Sequence, residues 1–160
     1  MGFFRARMYA LFVQPCVRRR PPVRDNWQGE WHYAQVVKVY DGDTITAVVH
    51  RHGRWLQQSI RLAGIDTPEL HPDKKMPGWE HEAAKAVEAR TALCALVENK
   101  HVWLHCTGRE KFGRILGTVY TPTFMCGKRT PSVNDQMVAS GHAVAYTGGK
   151  KTAWTFHTDD

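Results

Sequence analysis

Two short acidic stretches, Asp41-Gly42-Asp43-Thr44 and Ile65-Asp66-Thr67-Pro68-Glu69, hold the residue types that chemistry would use first. Each falls where a β-rich segment ends. Brought together by neighbouring strands, their carboxylates would repel one another in a small volume, and a bound cation or raised pKa values would relieve the repulsion. Oxygen ligands of this kind favour a hard ion, Ca2+ or Mg2+, over zinc or copper. On its own, Asp-Gly-Asp is equally a common turn. Arg61 stands five residues before Asp66, and Arg114 closes the string EKFGR. A planar guanidinium matches two phosphate oxygens at once, so two arginines beside a carboxylate-held cation could neutralise charge building on a phosphate under attack. Taken singly, each arginine also reads as a solvated edge residue. Glu69 is the spare carboxylate, able to orient or deprotonate a water.

The elements that must position these groups are legible from their periodicity. YAQVVKVY (33–40) and TITAVVH (44–50) are rich in Val, Tyr and β-branched residues on either side of Asp-Gly-Asp, the pattern of a hairpin. RHGR (51–54) gives a second turn, and 55–63 a third strand with Leu56, Ile60 and Leu62 mostly on one side. LHPDKKMPG (70–78) is a solvated loop. Trp79, Ala83, Ala86, Val87, Arg90, Leu93, Cys94 and Val97 then recur at helical spacing, with Glu80, Glu82 and Glu88 near the start. VWLHC (102–106) and ILGTVY (115–120) form a second hairpin. Ser132 with Asp135 resembles a capping box at the head of a short helix that Gly141 can end, its Val133, Met137 and Val138 facing inward.

The order β-β-β-α-β-β-α predicts a β-rich α+β fold, a five-stranded Greek-key barrel of OB type with two to three helices. Such barrels often bind oligonucleotides, but fold alone does not license function.

The 160 residues suffice for one ordinary domain, and 42% hydrophobic with 23% charged residues is the composition of a globular chain. No apolar run is long enough to cross a bilayer. The net charge of +7 is unevenly spread: residues 1–24 hold six arginines and no acid, leaving 16 basic residues against 15 acids elsewhere. A basic arm of this kind attracts nucleic acid or acidic lipid without sequence preference. It is compatible with an organelle-targeting leader, whereas Gln14 and Pro15 cut short the apolar centre a secretory signal needs. An untethered tail is the plain alternative, and the compartment stays unassigned. Cys16, Cys94, Cys106 and Cys126 form no CxxC pair and read as reduced structural thiols; His101 and His105 read as surface or packing residues.

In register, DGDT, RLAGIDTPE and EKFGR resemble the staphylococcal-type nuclease (thermonuclease) family, and SVNDQMVASGHA is similar to its closing helix. The resemblance spans about residues 33–147. It implies that Asp43 and Asp66 ligate Ca2+ together with the Thr67 backbone carbonyl, that Asp41 shapes the pocket, and that Arg61 and Arg114 grip the scissile phosphate. It further implies Glu69 as general base, and hydrolysis of DNA or RNA phosphodiesters to 3′-phosphate ends. Lys111 matches a phosphate-contacting lysine, and Tyr146 an aromatic on which a base stacks. Phe112 stands where the family often has Tyr, keeping a stacking face and losing a hydroxyl. The loop 70–78 matches a flexible loop near the family's site. The organisation expected is a leader over 1–30, the OB-fold nuclease domain over 31–148 and a tail over 149–160, acting as a monomer. The alternative is a catalytically inert nucleic-acid-binding OB module, as in tudor-associated proteins, whose repeats typically lack this carboxylate and arginine set. A lipid-binding protein led by the basic arm would need none of these six residues.

Overall fold

A computed structural model of the chain describes residues 26–110, 112–122, 131–149 and 154. Three consecutive strands, β1 (Trp31–Val39), β2 (Thr44–Arg51) and β3 (Arg54–Leu62), pair antiparallel as a meander. The two-residue β4 (Ile65–Asp66) follows, and then the long helix α1 (Trp79–Val97). A second hairpin, β5 (His101–Arg109) and β6 (Ile115–Tyr120), precedes the short helix α2 (Val133–Ala139) and β7 (Val144–Ala145). β6 returns parallel to β3 and β5 antiparallel to β1, closing the barrel in the order β1-β2-β3-β6-β5. This is the five-stranded OB-type barrel that the pattern predicts, and two helices fall among the described residues.

The barrel fills because β-branched and aliphatic residues alternate inward: Ile45, Ala47 and Val49 on β2, Val102, Leu104 and Cys106 on β5, and Ile115 and Val119 on β6 are all buried. On β1 the inward residues Val36 and Val39 are three apart. A bulge between Val36 and Lys38 inserts the extra residue and leaves Val37 in solvent. Gly117 lets β6 lie close where it pairs with β5: a Cβ there would fall 2.5 Å from Leu104 Cδ1 and 3.3 Å from the His105 carbonyl oxygen, and the buried Leu104 would have to shift.

α1 buries Ala86, Ala89, Leu93 and Val97. The stripe is narrower than its sequence spacing predicts: Val87 is 56% exposed, because one residue on from Ala86 it lies about 100° round the helix from the buried line 86, 89, 93 and 97. α2 starts with the predicted capping box, Ser132 Oγ accepting from the Asp135 amide and the Asp135 carboxylate accepting from the Ser132 amide. Its Asn134 is buried and ties three segments together. Oδ1 accepts from the Val119 amide at 3.0 Å, while Nδ2 donates to the carbonyls of Ala63 and Gly117.

Two features lie outside the expected pattern. β4 and β7 add a two-stranded antiparallel pair, Ile65 with Ala145 and Asp66 with Val144, too short to show any periodicity. The packed chain also begins before residue 31. Trp27, placed in the leader by sequence, is 1% exposed and sits in the core, under the Arg51 guanidinium at 4.3 Å. Arg51 in turn grips both oxygens of Glu30, at 2.7 and 2.9 Å, and donates to the Asn26 carbonyl at 3.0 Å. A bidentate pair and a large aromatic thus pin residues 26–30 to the barrel. Residues 1–25 lie outside the described residues.

His101 and His105 stack on Tyr33 and Trp31, the packing role expected of them. Cys94 and Cys106 are free thiols, and burial pushes Cys106 up to about 12. Among the described residues no helix is long and apolar enough to cross a membrane.

Candidate active site

The two acidic stretches meet because of strand register. Thr44, the first residue of β2, pairs with Arg61 near the end of β3, and the Leu62 amide donates to the Asp43 carbonyl at 2.7 Å. Asp43 is thereby held beside Arg61. Asp41 shapes the hairpin tip, its Oδ1 accepting from the Asp43 amide at 3.1 Å in the local turn that Asp favours. Gly64, in the left-handed region at φ 77°, turns the chain after β3 into β4, which carries Asp66. The Tyr146 amide donates to the Gly64 carbonyl, so the segment after β7 closes over the same end of the barrel.

Arg61 is the hub. Its Nη1 meets Asp43 Oδ2 at 2.7 Å and its Nη2 meets Asp66 Oδ1 at 2.8 Å, with all three side chains largely buried. Burial works against the Arg61 charge, but Asp43, Asp66 and Glu110 outweigh it and hold its pKa above the ordinary value. Asp43 also accepts from Thr44 Oγ1 at 2.9 Å. Burial pushes the Asp43 carboxyl up to about 7, with Asp41 adding to the shift and Arg61 opposing it.

Arg114 arrives from the turn between β5 and β6. Glu110 and Arg114 are joined by the Glu110 amide to the Arg114 carbonyl at 2.9 Å, across a turn that places Gly113 at φ 88°. The side chains pair as well: Glu110 Oε2 accepts from Arg114 Nε and Nη2, each at 2.8 Å, and Glu110 Oε1 lies 3.6 Å from Arg61 Nε. Arg114 Nη1 reaches Thr44 Oγ1 at 3.4 Å.

Asp41, Asp43, Arg61, Glu110 and Arg114 line a cavity of about 420 Å3, together with Thr67, Pro68 and the exposed Glu69. The Glu69 amide donates to Glu82 Oε1 of α1 at 3.2 Å, which fixes the loop that carries its carboxylate. Thr67 is buried against Gly42.

Of the residues marked in the sequence, Asp41, Asp43, Arg61, Thr67, Glu69, Arg114 and Tyr146 line this cavity. Asp66 sits against Arg61 rather than on the lining. Phe112 is 78% exposed and does not line it; Lys111 lies outside the described residues. Three lining residues were not marked: Pro68, inside the second acidic stretch, Glu110 and Tyr40. Glu110 is visible in hindsight as an acid four residues before Arg114. Tyr40, an exposed aromatic directly before Asp41, carried no signal beyond its strand-end position.

Among the described residues no group of three or more His, Cys, Asp or Glu side chains converges as a ready metal cage. Oxygen donors of the hard kind are nonetheless at hand: the buried Asp43 carboxylate on the lining, the buried Asp66 carboxylate beside Arg61, and Thr67 next to it in the chain.

Comparison with known proteins gives one family. The model described as "Staphylococcal nuclease homologue" matches residues 59–158. An uncharacterised endonuclease of Escherichia coli is 35% identical over 114 residues, covering 71% of this chain and 61% of its own. The micrococcal nuclease of Shigella flexneri is 33% identical over 114 residues, 70% of this chain and 57% of its own. An uncharacterised endonuclease of Haemophilus influenzae is 30% identical over 117 residues, 73% of this chain and 54% of its own. The chain thus spans a little over half the length of these relatives.

Proposed function

The chain belongs to the family of staphylococcal nuclease homologues, and on that premise we propose that it is a Ca2+-dependent, sequence-tolerant nuclease that hydrolyses phosphodiester bonds of DNA and RNA. The observation that carries this reading is the convergence of Arg61 and Arg114, from β3 and from the β5–β6 turn, on one carboxylate-lined cavity. Two guanidiniums aimed at one spot suit a group that gains negative charge during reaction, as a phosphodiester under attack does.

In the proposed reaction Arg61 and Arg114 bind the non-bridging oxygens of the phosphate and stabilise the five-coordinate transition state. The Glu69 carboxylate orients the attacking water and takes its proton. The water oxygen bonds to phosphorus, the 5′ P–O bond breaks, and the 5′ oxygen takes a proton from solvent, leaving a 3′-phosphate. Asp43, Asp66 and the Thr67 carbonyl would hold the cation; both carboxylates are buried, and their oxygens are the hard donors that Ca2+ takes. A Ca2+ ion bound there supplies Lewis-acid polarisation of the phosphate. Tyr146 and Tyr40, both lining the cavity, offer ring faces for the flanking bases.

The deciding experiment is digestion of single-stranded DNA, duplex DNA and RNA by the purified protein with Ca2+, Mg2+ or chelator, with Glu69→Gln alongside. Cleavage only with Ca2+, much reduced in Glu69→Gln and giving 3′-phosphate ends, is the expected result. Binding without cleavage under every condition would replace this reading with the inert OB module.

A further inference from the structure

Glu110 touches both arginines of the proposed phosphate grip, yet no step of the proposed hydrolysis uses it. Its Oε2 accepts from Arg114 Nε and Nη2, and its Oε1 faces Arg61 Nε at 3.6 Å. The Nε edge of a guanidinium is the fork that takes two phosphate oxygens. Arg61 has already committed Nη1 to Asp43 and Nη2 to Asp66, so its Nε edge is turned toward Glu110. One carboxylate therefore lies on the donors a phosphodiester needs, inside the same cavity. Its backbone is held by the bonds to Arg114 and Gly113, whereas its side chain, 22% exposed, can leave by rotation alone.

Resting on the nuclease reading of this cavity, we propose that Glu110 is an anionic placeholder: it aligns the fork edges of Arg61 and Arg114 while no substrate is bound, and a phosphate displaces it on binding. Two like-charged guanidiniums would otherwise repel and spread, so the carboxylate keeps the grip organised at some expense of phosphate affinity. Glu110 is on this account a positioning residue.

The test compares the full chain with Glu110→Gln for binding of inorganic phosphate by calorimetry, and for KM and kcat on single-stranded DNA. The isosteric amide removes the competing charge, so phosphate should bind about 3- to 10-fold more tightly and KM should fall in step. A merely structural Glu110 would give the opposite, weaker phosphate binding and lower kcat together. Unchanged or weakened phosphate binding overturns the proposal. Should Glu110→Gln lose its native melting transition, Glu110→Ala is read in the same way. Loss of fold in both variants also overturns it, because an exchangeable group is not needed to hold the barrel. If phosphate affinity responds to Glu110 but no nucleic acid is cut, the nuclease reading fails and the placeholder stands. If nucleic acid is cut and phosphate affinity ignores Glu110, the placeholder fails and the nuclease reading stands.

Discussion

Gly42 and Thr67 lie in contact: a Cβ on Gly42 would fall 2.9 Å from Thr67 Oγ1 and 3.0 Å from its Cβ, and equally 2.9 Å from Ala89 Cβ on α1. The hairpin tip that carries Asp41 and Asp43 is thus wedged against the segment that carries Asp66, Thr67 and Glu69. The helix backs both. This three-way contact sets the spacing of the two acidic stretches more tightly than either stretch could alone.

Gly42→Ala should therefore destabilise the protein by about 1–3 kcal/mol, since none of the atoms it meets is the loose end of a flexible side chain. Activity should fall with it, because Thr67 must give way. Denaturant unfolding together with turnover checks this; unchanged stability would mean the wedge is not tight.

Arg114→Ala and Arg61→Ala should each cost on the order of 10²-fold or more in turnover. They differ in what they do to the fold. Arg114 is partly exposed and its loss should leave the melting transition near native. Arg61→Ala strands two buried carboxylates, so the metal-free protein should lose about 3–5 kcal/mol. Arg61→Lys keeps the charge but cannot fork to both aspartates, and should fall between. Full activity in Arg114→Ala would remove the two-arginine mechanism.

Asp43 predicts a pH dependence. Its folded pKa is raised from 3.8 to about 7, chiefly by burial, so the folded state holds the proton more tightly than the unfolded chain. That contribution to stability is complete below about pH 4 and is lost as pH rises through 7. Without metal, the Asp43 share should lower the melting temperature between pH 5 and pH 8, and Asp43→Asn should flatten that difference. Cation binding requires the carboxylate, so apparent Ca2+ affinity should weaken as pH falls below 7. Melting curves with and without Ca2+ at both pH values decide it; equal slopes in native and Asp43→Asn protein would contradict it.

Trp27 separates the arm from the barrel. Trp27→Ala should cost about 3–5 kcal/mol, as for other large buried aromatics. Removing residues 1–24 leaves Trp27 in place and should spare the fold while taking away six arginines, which lowers nucleic-acid affinity and its salt dependence. Affinity titrations across salt concentrations measure this, and an unchanged slope would exclude the arm as a nucleic-acid contact.

The long, strongly periodic elements could be read directly, because burying one face of a strand or helix imposes a period on the residue types. Ile45, Ala47 and Val49 announce β2, and Ser132 with Asp135 announces the start of α2. Features held by one or two contacts leave no period. The β4–β7 pair and the Val36 bulge are of that kind. Trp27 reads as part of the leader because a lone Trp beside an arginine-rich arm looks the same whether it plugs a barrel or floats in solvent.

By itself the sequence determined most of the candidate site's inventory, Glu110 and Tyr40 excepted, and the order of its carriers: the carboxylates of DGDT and IDTPE, the arginines of RLAGIDTPE and EKFGR, and the strands and helix between them. Only the tertiary structure decided which of these meet. Arg61 spends two nitrogens on Asp43 and Asp66 because Thr44 pairs with it across β2 and β3. Its third nitrogen faces Glu110 because β6 closes the barrel parallel to β3, bringing the β5–β6 turn alongside. The physical reason is distance along the chain. Residue type and spacing encode local burial, but a contact between residues far apart in sequence exists only once strand register and barrel closure have fixed it.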